Sequence, residues 1–191
     1  SFADALKPGT ELLHGQFRIE KFLNAGGFGM TYLARDSLDR IVVIKECFPG
    51  ALCCRANASV RLRSRAGEPE FEKILELFEK EARALSELSH PYIVGVHQIF
   101  KDNGTAYMAI DFVPGRDLLQ VIEEEPDRLG PEQIRQLLIK VLDAISYMHD
   151  HDILHRDISP DNILLEVDNS PVLIDFGAAR ESASRVSRVL S

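Results

Sequence analysis

The chain has 191 residues, a formal net charge of −8 and a 45% hydrophobic composition, the balance of an ordinary soluble globular protein. The acidic excess argues against a broad nucleic-acid partner, which needs surplus Lys and Arg, and no apolar run approaches the roughly 18 residues of a membrane span. The N-terminal SFADALKPGTELL lacks a signal-peptide core, and Cys47, Cys53 and Cys54 match neither a disulfide framework nor a zinc spacing, so free thiols in a reducing cytoplasm are expected.

After an extension over 1–14, the first half reads as strands around one helix. FRIEKFLN (17–24) alternates loosely, MTYLARD follows a glycine cluster, and RIVVIKECF is rich in β-branched residues. Residues 49–67 are polar, locally basic and irregular. They are read as an inserted loop, holding a short hairpin at most, with Arg55, Arg61, Arg63 and Arg65 in solvent. In EFEKILELFEKEARALSEL, Phe71, Ile74, Leu75, Phe78, Ala82 and Leu85 fall on one face of a helix. HPYIVGVHQIF and TAYMAIDFV are read as two further strands joined by the turn KDNG.

Past VPGRD the pattern turns helical. Pro131 suits a first helical turn, and Ile134, Leu137, Leu138, Val141, Leu142, Ile145 and Met148 spread over an apolar arc of roughly 160°. Such an arc expects cover on more than one side, and left exposed it favours self-association. NILLEV and PVLIDFG, parted by DNS, are read as a short hairpin.

Five features then stand in order. NAGGFGMTY is a glycine cluster between two strands, suited to bringing backbone amides close to phosphates, although glycine turns are common in plain hairpins. Lys45 sits on the next strand, where a solvated edge lysine is the plain alternative. Glu81 lies on the amphipathic helix, where surface charge is ordinary. HRDISPDN and IDFG are harder to explain structurally, since each sets a carboxylate in a tight turn beside apolar strands.

Together these resemble the signature set of protein kinases, and VVIKECFP, GTAYMAIDFVPGRDL, HRDISPDNILL and LIDFGAAR are similar to bacterial kinases of the serine/threonine type. The resemblance implies an α+β, protein-kinase-like bilobal fold. An antiparallel N-lobe with its helix C would span 15–110, including the 49–67 insertion. A hinge at 111–115 and a partial helical C-lobe over 116–191, ending in the activation segment, would follow. It implies ATP and Mg2+ as cofactors. Asn24, Ala25, Gly26, Gly27, Phe28 and Gly29 would cover the phosphates, with Thr31 and Val43 on the roof over the adenine. Lys45 would neutralise the α- and β-phosphates, held by Glu81. Asp111 and Val113 would offer backbone groups to the adenine edge, with Ile110 behind and Leu164 as floor. Asn162 and Asp175 would bind magnesium, a hard cation that prefers oxygen, and Asp157 would accept the proton of a protein Ser/Thr hydroxyl. Leu85, Val96, His155 and Phe176 match the apolar column that links kinase lobes, and Arg156 the residue that pairs with an activation-segment phosphate. Ser182, Ser184, Ser187 and Ser191 are the candidate acceptors of that phosphate.

The sequence also departs from that pattern. Ser159 stands where a phosphate-contacting lysine is usual, and the loss of one such donor costs about 3–4 kcal/mol of transition-state stabilisation. Asn24 replaces the first loop glycine and is expected to tolerate positive φ. Val43 replaces an alanine, narrowing the adenine slot at about 1–3 kcal/mol if nothing relaxes. The chain ends at Ser191, soon after IDFGAAR, and is expected to be a piece of a longer protein with reduced or no activity of its own. Two readings of the parent stay open: γ-phosphoryl transfer to protein Ser/Thr hydroxyls, or a non-catalytic, ATP-binding pseudokinase module. Small-molecule phosphotransfer is a weaker third.

Overall fold

Alternating apolar and polar side chains lay down the first sheet. Its strands are β1 (Glu11–Leu12), β2 (Phe17–Ala25), β3 (Gly29–Asp36) and β4 (Ile41–Cys47). The chain then makes a separate hairpin of β5 (Cys53–Ala56) and β6 (Ser59–Leu62), and the helix α1 (Glu68–Ser86). It returns to the sheet as β7 (Val96–Asp102) and β8 (Thr105–Asp111). The strand order is β1-β2-β3-β4-β8-β7, antiparallel throughout. The computed structural model describes residues 3–26, 29–155 and 158–174. Those residues form two compact units, 3–86 with 96–112 and 87–95 with 113–174.

In the first unit one sheet face is packed with Met30, Tyr32, Ala34, Val42, Ile44, Tyr107 and Ala109, all buried. Phe100 stacks between Phe17 and Tyr107, with ring centroids 5.4 and 5.2 Å away. Helix α1 buries Phe71, Ile74, Phe78, Ala82 and Leu85, the stripe expected from the sequence, and packs on β7 and β8. Lys101 on β7 reaches Glu79 on α1 at 2.8 Å.

Two segments are more ordered than their composition foretold. The extension buries Leu6 and Leu12, and β1 pairs with β2. It turns through three consecutive positive-φ residues, Leu13, His14 and Gly15, and the Leu13 amide donates to Asp102 Oδ2 at 2.8 Å. The 49–67 insertion does contain the short hairpin, but the reading of its arginines as solvated fails at Arg55, whose side chain is 6% exposed.

HPYIVGVHQIF is not one strand. Pro91 supplies no amide, and residues 90–95 turn away to join the second unit. There the Val94 amide donates to the Leu173 carbonyl at 3.0 Å and the Leu173 amide to the Tyr92 carbonyl at 2.8 Å. Thus 87–95 groups with the second unit rather than with the rest of 15–110. The strand resumes only at Val96. Its partner β8 ends at Asp111, two residues before Val113.

The second unit holds β9 (Arg116–Asp117), α2 (Leu118–Glu124), α3 (Pro131–Asp150), β10 (Ile163–Leu165) and β11 (Pro171–Leu173), with strand order β11-β10-β9. Helix α2 was not foreseen; it is short, and its start is marked by Asp117, whose Oδ1 accepts the Gln120 amide at 2.8 Å. Helix α3 begins at Pro131 as expected and buries Leu137, Val141, Ala144 and Met148. Of the rest of its apolar arc, Ile134, Leu138 and Leu142 are exposed, Leu142 at 63%, and Ile145 is half-buried. Among the described residues no helix is long and apolar enough to cross a membrane.

Candidate functional site

Strand register decides which predicted site residues share a surface. Lys45 lies opposite Thr31 on one side and Met108 on the other, and Val43 lies opposite Leu33 and Ile110. Side chains alternate along a strand and directly opposed residues share a face. Thr31, Val43, Lys45 and Ile110 therefore stand on one face of the central strands. Glu46, the residue after Lys45, points to the other. Val43 is half-buried, opposite the half-buried Leu33 and the buried Ile110.

The Gly26 amide donates to the Gly29 carbonyl at 2.9 Å. A Cβ on Gly29 would sit 2.8 Å from the Glu46 carbonyl, whereas one on Gly26 would meet nothing within 4 Å. Glycine at 29 is thus required by the close approach of β3 to β4. Asn24 departs from expectation: it lies within β2 opposite Thr31 and is not among the positive-φ residues, so its left-handed tolerance goes unused. Ala25 ends β2 opposite Met30 and is half-buried.

Glu81 is half-buried on α1, beside the stripe that contains Phe78 and Leu85. At the end of β8, Asp111 Oδ1 meets His97 Nε2 at 2.6 Å, both side chains about half exposed. Of the expected lobe-linking column, Leu85 is buried and Val96 half-buried in the first unit.

In the second unit Asn162 is 3% exposed and closes the turn Pro160–Asn162. Its amide donates to the Ser159 carbonyl at 3.0 Å, its carbonyl accepts the Ile174 amide at 3.0 Å, and its Nδ2 donates to Ser159 Oγ at 3.2 Å. Ser159 Oγ in turn donates to Asp161 Oδ1. The serine in the lysine position is therefore engaged within its own loop. His155 is buried and donates from Nε2 to the Ile174 carbonyl at 3.1 Å. Leu164 lies on β10 between Val172 and Asp117. Gly115, after the half-buried Val113, passes so close to β10 that a Cβ would lie 2.3 Å from the Leu165 carbonyl.

Gly27, Phe28, Arg156, Asp157, Asp175, Phe176 and the four serines of the tail lie outside the described residues. Among the described residues no cluster of three or more His, Cys, Asp or Glu side chains has the arrangement of a metal site. The Gly29 restriction comes from the neighbouring strand, and the buried Asn162 side chain is of the oxygen-donor type that a hard cation such as magnesium takes.

Sequence reasoning missed the cluster behind the sheet. Glu46 is fully buried and accepts from Arg55 Nη1 and Nη2 at 2.7 and 2.6 Å, from Tyr32 Oη at 2.9 Å and from Tyr107 Oη at 2.8 Å. Burial, reinforced by the Glu46 charge, pushes both tyrosine hydroxyls well above the ordinary phenol range. Burial works against the Arg55 charge, but hydrogen bonds to Glu46 and its charge outweigh it and raise the guanidinium pKa. The available signal was Glu46 on the buried face of a strand, alternating with Val42 and Ile44, which demands a buried cation nearby.

The sequence matches the protein kinase domain over residues 17–190. It is 34% identical to serine/threonine-protein kinase PknA of Nostoc, covering 92% of this chain and 30% of that protein. It is 31% identical to the probable serine/threonine-protein kinase YbdM of Bacillus subtilis, covering 94% of this chain and 63% of that one. Synechocystis serine/threonine-protein kinase C is 34% identical and is likewise covered over 30% of its length, so this chain spans about a third of such relatives. Among solved structures, the apo form of PpkA-294 superposes with a TM-score of 0.88 at 36% identity, covering 99% of this chain and 67% of that one. The fold is that of the kinases, an antiparallel N-lobe sheet with its helix and a partial C-lobe. The chain belongs to the protein kinase domain family.

Proposed function

We propose that this chain is the nucleotide-binding part of a serine/threonine protein kinase that transfers the γ-phosphoryl group of ATP to protein hydroxyls in the cytoplasm. The observation that carries the reading is the register of the central strands, which gives Lys45, Thr31, Val43 and Ile110 a common face. Kinases as a family use ATP with magnesium, and catalysis there is chiefly positioning and charge stabilisation.

In this reading the backbone from Asn24 to Gly29, Gly27 and Phe28 included, covers the phosphates. Lys45, oriented by Glu81, binds their negative charge. Asp111 and Val113 offer backbone groups to the adenine edge, and Leu164 lies under the ring. Asn162 and Asp175 hold magnesium, which when bound offsets phosphate charge. Asp157 accepts the proton of the acceptor hydroxyl and aligns it. A second reading, a nucleotide-binding module without turnover, draws support from Ser159, which supplies no cation and whose hydroxyl is engaged by Asp161 and Asn162.

Calorimetric titration of the full-length protein with magnesium and ATP, paired with a turnover assay, separates the two. Binding with turnover is the expected result. Binding without turnover favours the module, and no binding removes both.

A further inference from the structure

The 49–67 insertion follows directly from the strand that carries Lys45, and it is not a free loop. Its Arg55 crosses behind the sheet to the carboxylate of Glu46, next in sequence to Lys45. We propose that Arg55 and Glu46 are positioning residues for Lys45: their buried fork fixes the end of β4, and with it the direction of the ammonium on the opposite face. The proposal rests on the reading of Lys45 as the phosphate-binding residue.

Three observations carry it. The fork is bidentate and its carboxylate is saturated, with donors from β3 (Tyr32), β8 (Tyr107) and the hairpin (Arg55) converging on one side chain. Glu46 therefore ties its strand to both neighbours as well as to the insertion. Second, Arg55 is itself held from several sides. Its Nε donates to the Asp4 carbonyl at 2.7 Å, its Nη1 to the Ala58 carbonyl at 3.0 Å, and its guanidinium lies 4.7 Å from the centre of the Phe48 ring. The Leu6 amide reaches Tyr32 Oη at 3.2 Å, and the Val60 amide reaches the Asn103 carbonyl at 2.7 Å. Extension, hairpin and sheet are thus joined around one ion pair. Third, Glu46 is the next-to-last residue of β4. A shift of one residue there would carry Lys45 to the wrong face, because side-chain direction alternates with every step.

A buried ion pair is a costly way to gain stability alone, since apolar residues of equal volume do as well or better. What it adds is directional: two parallel N–H to oxygen bonds accept only one orientation of the strand.

The test uses the full-length protein in three forms: wild type, the double variant Glu46→Leu with Arg55→Met, and Arg55→Lys. The readouts are thermal midpoint, amide hydrogen exchange across 41–47, labelling of Lys45 by an acyl-phosphate ATP probe, and kcat and KM for phosphoryl transfer from ATP. The double variant is expected to fold with a midpoint near that of wild type. Its exchange across 41–47 should be faster, and Lys45 labelling and kcat should fall by on the order of 10- to 100-fold. Arg55→Lys, which keeps the charge without the fork, should fall in the same direction and decides the matter if the double variant does not fold. A folded variant with wild-type exchange, labelling and kcat overturns the proposal. Wild type that neither labels at Lys45 nor transfers phosphate overturns the functional reading instead, and the proposal with it.

Discussion

Lys45 and Glu46 are consecutive residues of β4 that serve opposite faces of one sheet. Lys45 stands with Thr31 and Met108, while Glu46 closes a buried network with Arg55, Tyr32 and Tyr107. Lys45 should therefore bear on phosphoryl transfer with little effect on stability, whereas Glu46 should bear on stability as well. Lys45→Met is expected to lower phosphoryl transfer by about 100-fold or more with little change in the denaturant midpoint. Glu46→Ala leaves Arg55 buried without its counter-charge and should cost about 3–5 kcal/mol of stability. Urea unfolding and initial rates on the same two preparations check both expectations.

The glycines differ in what they tolerate. Gly29→Ala and Gly115→Ala each drive a Cβ into a carbonyl, at 2.8 Å from Glu46 and 2.3 Å from Leu165 respectively, whereas Gly26→Ala enters open space. The first two are expected to lose about 1–3 kcal/mol through forced backbone shifts. The third should remain within about 0.5 kcal/mol of wild type. Parallel chemical denaturation of the three variants ranks them.

The thiols should react in order of burial. Burial pushes Cys47 and Cys53 up to about 12, well above the ordinary thiol range, and Cys54 is only half-buried. An aromatic disulfide reagent at pH 8 is expected to label Cys54 quickly and the other two only after unfolding. The folded state holds the Cys47 and Cys53 protons more tightly than the unfolded chain does. Their contribution is thus fully present below the ordinary thiol pKa and is lost as pH rises from there towards 12. A second thiol that reacts as fast as Cys54 in the native protein would contradict the burial.

Asp36 governs the turn between β3 and β4. Its Oδ1 accepts the amides of Arg40 and Leu38, each at 2.9 Å, and its Oδ2 accepts from Arg40 Nε at 2.8 Å. The Arg40 backbone bond leads in holding the carboxyl below its usual range, with the Arg40 side chain and the Leu38 amide assisting. A depressed carboxylate contributes stability above its unfolded pKa and loses it as pH falls through the lower folded value. Asp36→Asn should therefore lower the thermal midpoint at pH 7, and the gap from wild type should close on acidification below the usual aspartate range.

Much of this architecture was legible in the chain. The stripe of Phe71, Ile74, Phe78, Ala82 and Leu85 and the start at Pro131 identified the two long helices, because burial at helical spacing leaves a periodic trace. Thr31, Val43 and Lys45 were brought together only by the family resemblance, and their common face is given by the strand register. What stayed hidden was tertiary. A basic stretch normally means solvent, and nothing local marks Arg55 as the one whose counter-charge is the buried Glu46. The division of HPYIVGVHQIF between two units was likewise invisible, since it depends on Leu173 pairing with residues that read as strand on their own.

The reading of this chain as part of a phosphoryl-transferring kinase is tested most directly by radiolabelled γ-phosphate incorporation into a protein acceptor, comparing the full-length protein with its Asp157→Asn variant. The account predicts labelling by the wild type and a loss of about 100-fold or more in the variant, with ATP still bound by both. Equal labelling by the two proteins would contradict it.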